Sequence, residues 1–197
     1  ATAAIKIDLN KIEELGSLYD DYVLPLRITS STGEPMGQNK YTKVLAHIGF
    51  KNDYSGTYSG KGIITQQGTT YTTEITSTQL YAINNNICYM FVGEKTRANT
   101  PDYLNYVVEI KRDEWGGITL SSEVGSLEFK SYNSKLSRKY TYNYNDQRYY
   151  TEITTVELAY EYLDKTQSED LRMTFEGSFS MSRDVLRVEY PNVDVEE

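Results

Sequence analysis

One cysteine, one histidine and one tryptophan are spread over 197 residues. A lone Cys closes no internal disulfide, and a lone imidazole makes a His-based metal cage or a Ser-His-Asp arrangement improbable. Phosphate loops, zinc-ligand spacings, nucleophile elbows and kinase signatures are missing, which removes those enzyme classes. No apolar run approaches the ~20 residues of a membrane-spanning helix, and the N-terminal stretch lacks the charged, apolar and small-residue pattern of a leader. The chain opens Ala1-Thr2-Ala3-Ala4-Ile5 without Met, which reads as a processed or trimmed product. Positive charge is also in deficit: 20 Lys and Arg against 28 Asp and Glu give a net charge of −8. Such a surface repels phosphate backbones and anionic headgroups, so nucleic acid is not an expected partner.

Tyrosine is what the sequence has in excess, with 19 Tyr against 5 Phe and 1 Trp. Tyr and Thr fit a pleated surface, while helix-forming periodicity appears only briefly, so the expected class is all-β. Ala3 to Ile7 reads as extended and Leu9 to Leu15 as a short helical turn that Asp8 caps and Gly16 ends. Tyr22 to Ile28 and Thr42 to Phe50 read as strands, with Ser30 to Gly37 a loop; Pro25 places the first strand at an edge or a bulge. A change of character at Lys51-Asn52-Asp53 marks a boundary between residues 1–50 and 51–197.

Beyond that boundary, a Tyr/Thr/Gly-rich series predicts antiparallel strands joined by short polar turns. Gln67-Gly68 and Asn84-Asn85-Asn86 are turns, Ile87 to Val92 is apolar on both faces, and Tyr103 to Lys111 forms a hairpin with Ile118 to Ser121. Val156, Leu158, Tyr160 and Tyr162 share one side of a strand, as do Leu171, Met173, Phe175 and Phe179. Asn192 to Glu197 reads as a solvated acidic tail. A meander of this kind closes into an antiparallel barrel or packs as a sandwich.

Candidate chemistry is sparse. His47 sits in an apolar strand and reads as a satisfied strand histidine; Cys88 reads as a buried, inert thiol. Glu109, Glu157, Glu161 and Glu176 lie on polar strand faces, where solvated carboxylates are the ordinary reading and a glycosidase pair the minority one. Asn143-Tyr144-Asn145-Asp146 and Asp20-Asp21 are oxygen-rich but lack calcium-loop spacing, and turn chemistry accounts for them. No metal or cofactor is expected. The ordinary reading of the Tyr surplus is that most of these rings pack the core or cover a sheet face; it also suggests sugar binding, because flat amphipathic rings stack on the C–H faces of sugars. The candidate surface combines Trp115 at a hairpin tip with Tyr140, Tyr142 and Tyr144 on one strand face and Tyr149 nearby, and Asn143 and Asn145 hydrogen-bonding sugar hydroxyls. The net charge favours a neutral or weakly acidic glycan.

Ala4-Ile5-Lys6-Ile7-Asp8 through Tyr22-Val23-Leu24-Pro25-Leu26-Arg27-Ile28, with Asn39-Lys40 and the strand to Phe50, resembles the end of an Ig-like domain of Bacteroidetes surface lipoproteins. Tyr54-Ser55-Gly56-Thr57-Tyr58 to Phe175-Glu176-Gly177 resembles the β-rich domain of unknown function that follows it. The resemblance implies a polysaccharide-utilisation locus, outer-membrane importers as neighbours, and glycan capture at the cell surface. The lipid-bearing Cys and the earlier Ig-like strands are missing, so the chain reads as a C-terminal fragment whose anchor lies on the absent part. The expected role is a non-catalytic, cell-surface glycan-binding accessory protein. The alternatives are a lipocalin-like carrier of a small hydrophobic ligand and an adhesin or structural surface protein. Between a roomy and a filled interior, the bulk of the inward Leu, Met, Phe and Tyr side chains favours the filled one.

Overall fold

The computed structural model describes residues 19, 22–27, 43–113, 116–166 and 169–196. The chain divides into two compact units, residues 1–50 and 51–197. In the first, β1 (Tyr22–Arg27) pairs antiparallel with β2 (Lys43–Ile48), and Pro25 stands opposite Leu45. Among the described residues β1 has a ladder on one side only, which accommodates a residue with no N–H to donate. His47 takes its place in β2 opposite Val23, and its side chain lies outside the described residues. So do the expected strand at 3–7, the turn at 9–15, the loop at 30–37 and the Asp20-Asp21 pair.

The second unit is all-β. Its strands are β3 (Gly56–Gln66), β4 (Thr72–Ala82), β5 (Ile87–Phe91), β6 (Val107–Arg112), β7 (Ile118–Ser121), β8 (Lys130–Ser131), β9 (Lys135–Tyr142), β10 (Tyr149–Asp164), β11 (Leu171–Leu186) and β12 (Val195–Glu196). They form one ten-stranded sheet in the order β12-β9-β10-β11-β3-β4-β5-β6-β7, with β8 on β10. The sheet curls into a half-barrel. Every pairing is antiparallel except that of β12 with β9, where the acidic tail lays Val195 and Glu196 beside Tyr140 and Thr141. Tyr103–Tyr106, expected as strand, is a 3-10 turn that leads into β6.

The longest hairpin, β10 with β11, carries the cleanest alternation, and its register runs from Tyr149 opposite Leu186 to Asp164 opposite Leu171. Val156, Leu158, Tyr160 and Tyr162 are buried on the inner face against Met173, Phe175 and Phe179. Tyr160 stacks on Phe175 with centroids 4.8 Å apart, and Phe175 lies parallel to Phe179 at 6.2 Å. Gly62 and Gly177 face one another across β3 and β11 because those rings occupy the space: a Cβ on Gly62 would sit 2.6 Å from Phe175 Cζ, and one on Gly177 would sit 2.6 Å from Phe179 Cε2. Among the described residues the inner face is therefore packed by the protein's own rings, which favours a filled interior over the roomy apolar cavity of a lipocalin-like carrier.

Strand β5 is covered on both faces, as its apolar composition predicts. Cys88 and Met90 enter the core, while Tyr89 and Phe91 pack on the other side against Tyr81 and Tyr103. Burial pushes the Cys88 thiol up to about 11, against the opposing hydrogen bond from Asn52, so the thiolate needed for reactivity is scarce. Asn52 also accepts from Tyr54 N–H and Ser55 N–H and donates to Asn84 O, tying the entrance of β3 to the β4–β5 turn.

Candidate functional site

The register of β10 and β11 gives the half-barrel two ends. The first, near Tyr150 and Val185, holds the expected sugar surface. Tyr140 and Tyr142 share the inner face of β9, Tyr142 directly opposite Tyr150. The rings do not form one platform. Tyr140 is half-buried against Tyr190, and Tyr142, 40% exposed, leans on Tyr150 beneath the Arg187 guanidinium. Tyr144 lies beyond the end of β9 and is 84% exposed. Tyr149 precedes Tyr150 by one residue and so falls on the opposite face of the sheet. Asn143 spends its side-chain carbonyl on the N–H groups of Asn145 and Asp146, which makes the segment an Asx turn; Asn145 is exposed. Trp115 lies outside the described residues.

The same end contains a charged cluster that strand alternation alone does not reveal. Glu152, on the inner face of β10, is fully buried. Its Oε1 accepts from Arg183 Nε at 2.8 Å, and Arg138 Nη1 lies 3.4 Å from its Oε2. Asp53 pairs with both guanidiniums, at 3.3 Å from Arg183 and 3.7 Å from Arg138. Arg112 and Arg138 stand 4.8 and 4.7 Å from the centre of the Tyr54 ring. The carboxylates pair with Arg138 and Arg183, while Glu152 Oε2, Arg138 Nη2 and Arg183 Nη2 are buried without a hydrogen bond, and the cluster fills this end of the half-barrel as a plug.

The other end of the half-barrel opens. A cleft of about 370 Å³ is lined there by Gln66, Tyr71, Thr73, Glu94, Glu169 and Leu171, among others, over a floor that includes Tyr162. Tyr71 stands at the β3–β4 hairpin, 58% exposed, with its hydroxyl fixed by Thr73 Oγ1 at 3.1 Å. Gly68, at φ +77°, turns that hairpin, and Gln66 N–H donates to Tyr71 O. The facing wall is the loop that follows β5. Gly93 N–H donates to Tyr160 Oη, and the Gly93 backbone, at φ +57°, approaches so closely that a Cβ would lie 2.5 Å from Tyr162 Oη. Asn99 braces this loop by donating to Glu94 O and accepting from Thr96 N–H.

Lys95 and Asp164 close the bottom of the cleft at 2.7 Å, each nearly buried. Burial raises the Asp164 pKa, but Lys95 and the Thr166 hydroxyl and N–H outweigh it and hold the carboxyl below its ordinary value. With that pair neutralised, Glu94 and Glu169 leave the cleft acidic, suited to a neutral polyol and hostile to an anion.

Of the four strand carboxylates, Glu157 and Glu176 are exposed, and Glu161 is buried on the outer face. Lys130 at 2.7 Å, then the Tyr132 hydroxyl at 2.6 Å, hold the Glu161 carboxyl at about 2 against an ordinary 4.5. A depressed folded pKa contributes stability above the unfolded value and loses it as pH falls through the folded one. Glu161→Gln should therefore melt below wild type at pH 6, with the gap closing between pH 4.5 and 2. A gap independent of pH across that window contradicts the assignment.

Sequence reasoning missed this cleft because Tyr71, Glu94 and Glu169 come from three separate connections with no common spacing. Among the described residues, no group of three or more His, Cys, Asp or Glu is placed to hold a metal ion.

Solved structures share this architecture. A Bacteroides ovatus protein of unknown function superposes with a TM-score of 0.71 at 19% identity, over 87% of this chain and 62% of that one. An auxiliary nutrient binding protein from Bacteroides thetaiotaomicron VPI-5482 gives 0.67 at 17% identity, over 84% and 58%. A multidomain protein including DUF1735 from Bacteroides ovatus gives 0.61 at 18% identity, over 73% and 62%. The chain thus spans about three fifths of the length of these relatives. No curated protein matches the sequence. Residues 42–180 match the model of the "-like, C-terminal" family, and the chain belongs to that family of C-terminal domains.

Proposed function

We propose that this protein is a non-catalytic accessory of nutrient capture that holds a neutral glycan in the cleft between Tyr71 and the Gly93–Lys95 loop. The observation that carries the reading is the cleft's composition: an exposed ring with a fixed hydroxyl, surrounded by amide, hydroxyl and carboxylate groups. Rings stack on sugar C–H faces while the polar groups take the hydroxyls. The nutrient-binding description of one structural neighbour supports the same role. In this reading the protein works at the cell envelope beside outer-membrane importers, as a surface lipoprotein of a polysaccharide-utilisation system whose residues 1–50 complete an Ig-like sheet.

Binding to immobilised neutral polysaccharides in affinity electrophoresis tests the proposal. Tyr71→Ala should weaken retention about tenfold, the equivalent of ~1.4 kcal/mol, with little change in melting temperature because the ring is largely solvated. Release of reducing sugar during incubation contradicts the non-catalytic part. Equal retention of wild type and variant contradicts the site.

A further inference from the structure

The cleft at Tyr71 has a neighbour. Strand β4 pairs with β3 along most of its length, from Leu80 opposite Gly56 to Thr72 opposite Thr65, but with β5 only at Tyr81 and Ala82. Among the described residues no strand lies beside the other edge of β4 from Thr72 to Leu80. The chain leaves β5 and turns inward at Gly93 toward Tyr160, which opens a wedge between that edge and the loop. The wedge holds a second hollow of about 360 Å³, lined by Thr76, Ser77, Thr78, Gln79, Phe91 and Thr96 among others. Glu94 and Lys95 line both hollows, so the two adjoin.

We infer that the two hollows form one groove, and that it takes a linear neutral oligosaccharide along its length rather than a single terminal sugar. This rests on the glycan reading of the Tyr71 cleft. From Tyr71 to Gln79 an extended strand covers about 27 Å at ~3.4 Å per residue, longer than one sugar ring. The exposed Tyr71 ring stands at one end and the half-buried Tyr81 ring at the other. Between them lie mostly Thr and Ser hydroxyls with the carboxylates of Glu74 and Glu94, and the backbone of the β4 edge, which no strand pairs among the described residues, adds donors and acceptors. Lys95, the cation common to both hollows, is committed to Asp164. An added peptide strand fits the edge less well, because the bulge of β3 at Gly60–Lys61, opposite Thr76 of β4, increases the local twist of the pair and makes a poorer template for a further strand.

Calorimetry with α-1,4- and β-1,4-linked gluco-oligosaccharides of two to eight units, and with a Thr-rich decapeptide, tests the groove on the intact chain. In the series that binds, affinity should rise at least tenfold between two and six units and then level off. Ser77→Arg, at an exposed position of the second hollow, should reduce hexasaccharide affinity to the disaccharide value and leave the disaccharide unchanged. Affinity independent of length, with Ser77→Arg silent, overturns the groove while the Tyr71 site stands. Binding of the peptide and of no saccharide overturns both readings.

Discussion

Glu152→Ala should lower the unfolding free energy by about 3–5 kcal/mol, the usual loss when one partner of a buried ion pair is removed. Glu152 is fully buried and receives Arg183 and Arg138 together, so its deletion leaves two guanidiniums whose remaining carboxylate partner among the described residues is the half-exposed Asp53. Urea denaturation monitored by circular dichroism measures the loss. Replacing Glu152, Arg138 and Arg183 jointly by apolar residues of similar volume should recover most of it, because the expense lies in the uncompensated charge. A Glu152→Ala variant within 1 kcal/mol of wild type shows that the cluster does not plug this end.

Phe179→Ala should cost about 3–5 kcal/mol, the range for truncating a buried aromatic ring. Its ring is fully buried, parallel to Phe175, and lies over the Gly62–Gly177 pair. Gly62→Ala should cost about 1–3 kcal/mol in the wild-type background, because the new methyl meets the ends of both rings. The two changes should not add: with Phe179 gone, part of the volume the methyl needs is free, so the double variant should be more stable than the sum predicts. Strict additivity in urea melts contradicts the account of why both strands carry glycine there.

The fold was legible where burial is one-sided. Strands β10 and β11 alternate because their inner face meets a core and their outer face largely meets water, and a period of two records that asymmetry directly. Glu152 follows the same parity as Val156 and Leu158, yet its partners come from two other strands, and no local pattern joins them. The tyrosines show a related limit. Alternation placed Tyr140 and Tyr142 on one face, but it does not say where β9 stops, so Tyr144 fell into the turn. Nor does it carry parity through the Asn143–Asp146 turn, so Tyr149 came out on the other side. The cleft was not legible for a different reason. Tyr71, Glu94 and Glu169 meet only because three connections converge at one end of a curled sheet, and that convergence is a property of the topology.

Two ends of one half-barrel are therefore candidates for the proposed glycan: the open cleft at Tyr71, and the ring-rich end with Tyr142 and Tyr149. Backbone NMR during titration with the hexasaccharide that binds best separates them most directly. Binding along the groove predicts saturable shifts confined to Tyr71, Thr73, Thr76 to Gln79, Glu94 to Thr96 and Glu169 and their neighbours, with Tyr140 to Tyr149 unmoved. Shifts clustered at Tyr140, Tyr142 and Tyr144, with Tyr71 and Glu94 silent, contradict the account.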